Sequence, residues 1–177
     1  MNNINKTRRL FFALWPSDQT QQSIVDTISS LSLKTKGRIT QTANLHITLH
    51  FVGQVTEEVK DCLHTAAQSV DLPGFGFKLD RLGYFPRSKV MWMGAQESSD
   101  EFVQLYEKLG TAITACGYQL EARAYAPHLT LMRKCSKPDF ATVDFSIPWQ
   151  VKEFVLVESI SVEHGVRYQV IEKYPLS

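Results

Sequence analysis

The chain has 177 residues, 44% hydrophobic and 21% charged, ordinary values for a globular protein with a real core. Nineteen basic and 18 acidic residues leave a net charge of +1, which excludes a broad electrostatic nucleic-acid binder and leaves room for a local basic cleft. No run approaches the roughly 18 consecutive apolar residues of a membrane span, so a cytoplasmic chain with no membrane contact is expected.

In chain order, residues 1–7 are polar and expected to fray. Arg8 to Trp15 (RRLFFALW) reads as a central strand. It follows basic residues as a signal peptide would, but it is too short for an h-region and lacks a small-residue cleavage site. Pro16 breaks it, and Ser17 or Asp18 can cap a helix over about 18–32, with Ile24, Ile28 and Leu31 on its apolar side. A basic loop, Lys34 to Arg38, leads to a second strand, Leu45 to Val52.

Thr56 then caps a second helix with Val59, Leu63, Ala66 and Ala67 inward, stopped by Pro73-Gly74. Phe75, Phe77 and Leu79 alternate as in a half-buried strand. Arg81 to Ser88 reads as a turn, and Val90 to Met93 as a strand. Ser98 or Ser99 opens a third helix carrying Phe102, Leu105, Leu109, Ala112, Ile113 and Cys116, with Gly117 past its end. A strand follows Pro127, and two terminal strands, Val151 to Ser159 and Val166 to Tyr174, join at His164-Gly165. Cys62, Cys116 and Cys135 are odd in number and make no CxxC pair, so three reduced thiols are expected.

Two strands share a pattern: His46-Ile47-Thr48-Leu49 and His128-Leu129-Thr130-Leu131. Alternation puts His46 with Thr48, and His128 with Thr130, on one face, and sends the aliphatic residues into a core. Each strand offers an imidazole and a hydroxyl roughly 6–7 Å apart. About 0.07 such tetrapeptides are expected per chain of this composition, so the duplication is the signal. Phe12 to His46 spans 34 residues and Trp92 to His128 spans 36, each interval running strand, helix, His-Thr strand. Two such halves would face their motifs across a cleft on a pseudo-two-fold axis. The expected fold is α+β, two pseudo-symmetric lobes of antiparallel sheet with outer helices and the active-site cleft between them.

Paired imidazoles titrate near neutrality and can act as acid and base together. They suit in-line displacement at phosphorus: one takes a proton from water, the other protonates the departing oxygen. Thr48 and Thr130 can hold the non-bridging oxygens, and Arg133 and Lys134 can add positive charge. No carboxylate cluster accompanies the histidines, so neither a metal nor a cofactor is called for. Arg133 is out of phase with His128 on a regular strand, so a phosphate role for it needs a bulge or the strand's end. His50 shares the His46 face by period two, although a hydrogen-bonded or surface role is the plainer reading. His64 and His164 read as solvated. Phe11, Phe12, Trp92 and Tyr125 can each stack a base or simply fill a core.

Together RLFFALW, LHITLHFVG, GYFPRSKVMWMG, YAPHLTLMRK and the closing ES…HGVRYQVIEKYPL resemble the RNA 2′,3′-cyclic phosphodiesterase (2′–5′ RNA ligase) family of the two-histidine phosphoesterases. The resemblance covers nearly the whole chain and implies a single two-lobed domain, 1–177, with no cofactor. It implies metal-independent opening of an RNA 2′,3′-cyclic phosphate end, or of a small cyclic-phosphate substrate, to a 2′-phosphate. His46 would be the proton donor and His128 the acceptor, with Thr48 and Thr130 as the motif threonines. Arg133, Phe12 and Tyr125 are the expected substrate contacts, and a monomer is expected. Tyr125 stands where Phe is expected and Trp15 where an acidic residue is frequent, departures that bear on base contacts. Reversible 2′–5′ ligation and a non-catalytic RNA-end binding module are the alternative readings.

Overall fold

The computed structural model describes residues 7–31, 35–140, 144–163 and 165–177. Ten strands and three α-helices alternate in it: β1 (Arg8–Leu14), α1 (Asp18–Ser30), β2 (Arg38–Ile39), β3 (Ile47–Val55), α2 (Glu57–Gln68), β4 (Phe75–Leu79), β5 (Arg81–Phe85), β6 (Val90–Gly94), α3 (Asp100–Thr114), β7 (Leu129–Arg133), β8 (Ile147–Val151), β9 (Glu153–Val162) and β10 (Gly165–Pro175). Each helix begins where a hydroxyl can satisfy a free backbone N–H. Ser17 accepts from Thr20, Thr56 from Val59, and Ser99 from Phe102.

The strands run β10-β9-β1-β3-β7-β6-β5 in one antiparallel sheet, with β2 added beside β7; β4 and β8 pair separately. The sheet divides naturally at its middle. β3 and β7 meet through a single residue pair, Ile47 with Leu129. On either side the order repeats: β1, α1, β3 in one half and β6, α3, β7 in the other. The fold is α+β, as the repeated strand-helix-strand spacing predicts.

Leu10, Phe12 and Leu14 of β1 face a core shared with Ile24 of α1, Leu63 of α2 and Leu105, Leu109 and Ile113 of α3. The alternate residues Phe11 and Ala13 face the other way, with Val155 and Val157. All three helices therefore cover one face of the sheet, and the opposite face carries His46. No helix among the described residues is long and apolar enough to cross a membrane.

Three sequence expectations change. Arg81–Phe85 is a strand rather than a turn; Gly83 hides its alternation because the Trp92 ring lies across it, only 2.0 Å from where a Cβ would stand. The terminal strands run Glu153–Val162 and Gly165–Pro175, and Val151 ends β8 instead. Cys62 and Cys116 are not reduced thiols but a disulfide. They lie 54 residues apart, one on α2 and one just past α3. Sequence spacing carries no sign of a pairing that exists only because α2 packs on α3. Cys135 is free and buried. Lys34 and His164 lie outside the described residues.

Candidate active site

The Ile47–Leu129 pair is the middle of the site. In an antiparallel pair a local two-fold passes through such a point, so one step to either side sets His46 level with Thr130 and Thr48 level with His128. The two motifs thus stand side by side in opposite directions. Each histidine is tied in the same way. His46 Nδ1–H donates to the carbonyl of Asn44 at 2.7 Å, and His128 Nδ1–H to that of Ala126 at 2.8 Å. A carbonyl can only accept, so both neutral rings carry their proton on Nδ1 and present Nε2 as the working atom.

Aromatic walls set the two rings. Trp15 stacks on His46 at 5.3 Å and 7°, Phe11 lies at 5.0 Å, and Tyr168 meets it edge-on at 5.1 Å. Phe85 meets His128 edge-on at 5.0 Å, with Trp92 beyond at 6.4 Å. This enclosure disfavours the imidazolium. Burial, with the Arg133 and His128 charges adding to it, pushes His46 down to about 4. Burial also lowers His128, with Arg133 and Arg123 acting the same way. Both rings are neutral at pH 7 in the free protein.

Arg133 reaches the site because β7 bulges. Trp92 pairs with Thr130 and Met91 with Met132, leaving Leu131 as the extra residue. The bulge reverses the phase, turning Met132 into the core and Arg133 onto the His128 face. The condition that the sequence set for Arg133 is met. β3 bulges at the matching position: Ala13 pairs with Thr48 and Phe12 with His50, which leaves Leu49 over. His50 therefore does not share the His46 face. It is buried against α3, where its Nε2–H donates to the Tyr106 carbonyl at 2.8 Å and its Nδ1 accepts from Tyr118 Oη at 3.3 Å.

His46 and Arg133 line two adjoining hollows, of about 460 Å³ with Thr130 and about 230 Å³ with Thr48 and Phe51. A larger hollow of about 810 Å³ beside the start of α1 contains none of the motif residues; the chemistry, not the size, picks out the site. Among the described residues, no group of three His, Cys, Asp or Glu side chains could hold a metal ion.

Two expected substrate contacts sit elsewhere. Phe12 is wholly buried in the core, against Phe154 and Tyr174; its neighbour Phe11 is the ring that faces the site, because strand alternation allows only one of them to do so. Tyr125 stacks on Tyr106 at 3.9 Å and donates its hydroxyl to the Thr48 carbonyl at 2.7 Å. It ties the approach to His128 onto the first motif strand instead of offering a face. His64, read as solvated, meets Tyr174 Oη at 3.1 Å. Sequence reasoning marks Trp15 only as a departure that bears on base contacts, and it does not find Tyr168 or Phe85. Their distance in sequence from the motifs hides them; Trp15 and Tyr168 lie in runs that read as strands, and Phe85 lies in the run that reads as a turn.

A match to the 2′-5′ RNA ligase superfamily covers residues 16–162. The RNA 2′,3′-cyclic phosphodiesterase of Escherichia coli strain K12 is 29% identical over 175 residues, 98% of this chain and 99% of that one. The crystal structure of E. coli LigT in apo form superposes with a TM-score of 0.88 at 28% identity, covering 98% of this chain and 99% of the other. LigT complexed with 3′-AMP gives 0.87 at 29% identity, covering 97% and 99%.

Proposed function

Because the chain belongs to the 2′-5′ RNA ligase superfamily, we propose that it hydrolyses RNA 2′,3′-cyclic phosphodiester ends to 2′-phosphomonoesters, with His46 as acid and His128 as base. The observation that carries this reading is the matched pair of imidazoles, each pinned through Nδ1 and each offering Nε2. In-line displacement needs a base on the entering side of phosphorus and an acid on the leaving side. Two motifs related by the local two-fold at Ile47 and Leu129 suit those positions.

With a cyclic phosphate between the rings, His128 Nε2 takes a proton from water as its oxygen bonds to phosphorus. The bond from phosphorus to the 3′ oxygen breaks, and His46 Nε2–H protonates that oxygen. Thr48 and Thr130 donate hydroxyl hydrogen bonds to the non-bridging oxygens, and Arg133 pairs with their charge. His46 is neutral in the free protein. The substrate's phosphate anion supplies the opposite charge that raises it, so donor and substrate arrive together.

Both motifs come from one chain, which supports a single two-lobed catalytic unit working as a monomer. RNA as the substrate supports a cytoplasmic location.

The test is turnover of an oligonucleotide ending in a 2′,3′-cyclic phosphate, in EDTA. We expect a 2′-phosphate product and a loss of about 10²–10⁴-fold for His46→Ala and for His128→Ala. Abolition by EDTA would overturn the metal-free mechanism. Tight binding without turnover would make the paired motifs a binding site only.

A further inference from the structure

The groove of about 460 Å³ does not end at the catalytic residues. It continues from His46, Thr130 and Arg133 past Asn44 and Arg38 to the β9–β10 hairpin, where Val162, Val166 and Arg167 line it. Its volume lies within the ~300–1,000 Å³ of small-ligand sites, well beyond a lone phosphate. The hairpin is held over the groove by the other wall. Asn44 Nδ2 donates to the Val166 carbonyl at 3.4 Å, and the Arg38 guanidinium lies across Gly165, with Nη2 2.5 Å from where a Cβ would stand. Gly165 has φ +138°, so bare backbone suits this crossing on two counts.

The chemistry of this extension is mixed in a particular way. Val162 and Val166 are 47% and 39% exposed, unusual for aliphatic side chains beside a site. Arg38, Arg133 and Arg167 bring three cations to the same groove in a chain whose net charge is only +1. Guanidinium groups for phosphates, with the Tyr168 ring as an aromatic face and the two valines as apolar surface, suit a single strand of nucleic acid.

We propose that the groove between β2 and the β9–β10 hairpin carries the RNA segment on the 5′ side of the cyclic end, with Arg38 and Arg167 contacting its phosphates. This rests on the phosphodiesterase reading and makes the chain prefer oligonucleotide ends over cyclic mononucleotides. The preference comes from side chains outside the catalytic set.

The experiment compares kcat/KM for a short oligonucleotide with a 2′,3′-cyclic end and for a 2′,3′-cyclic mononucleotide. Wild type, Arg38→Gln, Arg167→Gln and the double variant are measured over a salt series. Both arginines are exposed, and circular dichroism would check that each variant folds. The expected result is a wild-type preference for the oligonucleotide that falls about tenfold or more in the double variant. The slope of log kcat/KM against log salt for the oligonucleotide should also flatten by about 1.4, two phosphate contacts at ~0.7 each. Three results would overturn the inference: no wild-type preference, an unchanged preference in the variants, or equal slowing of both substrates. In each of these the mononucleotide is still turned over and the phosphodiesterase reading stands. Failure of wild type on both substrates would overturn that reading, and this inference with it.

Discussion

His46 and His128, the proposed acid and base, are both held as neutral imidazoles in the free protein, and this has a consequence for pH. kcat/KM reports the free protein, and the productive form needs one ring protonated and the other not. Both values lie below the ordinary 6.5, His46 at about 4, so the bell in kcat/KM should centre on the acid side of 6.5. The bell in kcat should sit at higher pH, since bound phosphate favours the imidazolium. A pH series on a cyclic mononucleotide separates the two, and coincident bells would contradict this account. Stability carries the same sign. Between pH 6.5 and about 4 the unfolded chain binds a proton at His46 that the folded chain does not, so stability falls as pH falls through that window. Below about 4 both states are protonated and the loss is complete. Denaturant titrations of wild type and His46→Gln should converge toward pH 7 in slope and differ most across that window.

At the scale of elements, the two bulges decide which residues reach the site. Leu49 and Leu131 occupy matching places, and each reverses the phase of its strand just past the threonine. In the second half this delivers Arg133; in the first it delivers Phe51, under the Arg9 guanidinium. The residue turned inward in the first half is His50, and α3 makes room for it with Gly110. A Cβ there would stand 2.8 Å from the His50 ring and 2.8 Å from Leu120. Gly to Ala inside a helix normally stabilises by about 1 kcal/mol. Gly110→Ala should instead destabilise, because a buried, doubly bonded ring cannot give way. Thermal melts check this, and a raised Tm would show that the pocket yields.

Across the whole molecule, the two halves touch in the sheet through Ile47 with Leu129 and through the short β2 beside β7, and are also joined on the helix face. The Cys62–Cys116 bond links α2, which follows the first motif strand, to the segment after α3, which precedes the second. It closes a loop of 54 residues, for which chain entropy sets a contribution of about 4 kcal/mol, less where the reduced unfolded chain keeps structure. Dithiothreitol, or Cys62→Ser, should lower the denaturation midpoint by a corresponding amount. kcat under native conditions should hold, since the bond lies on the face of the sheet away from His46. A midpoint unmoved by reduction would show that non-covalent packing and strand pairing join the halves without help from the bond.

How much of this was legible in the chain depends on the range of the forces involved. Helix starts at Ser17, Thr56 and Ser99 follow from hydroxyls satisfying amides three residues on, a local rule that needs no tertiary context. The duplicated His-Thr pattern is also local, and with the matched strand-helix spacing it was enough to point to paired acid–base chemistry. Long-range packing decided the rest. Strand alternation predicts that one of Phe11 and Phe12 faces the site, but only the core on the other face of the sheet says which. Period two placed His50 with His46 until an extra residue in the ladder turned it away, and the same device brought Arg133 in. The Cys62–Cys116 bond depends on two helices meeting across 54 residues. The amino-acid sequence by itself determined which groups the proposed chemistry uses, because residue identity and near-neighbour periodicity are written in it. The tertiary structure alone decided which faces those groups share, because bulges, sheet register and helix docking are settled by contacts between segments far apart in the chain.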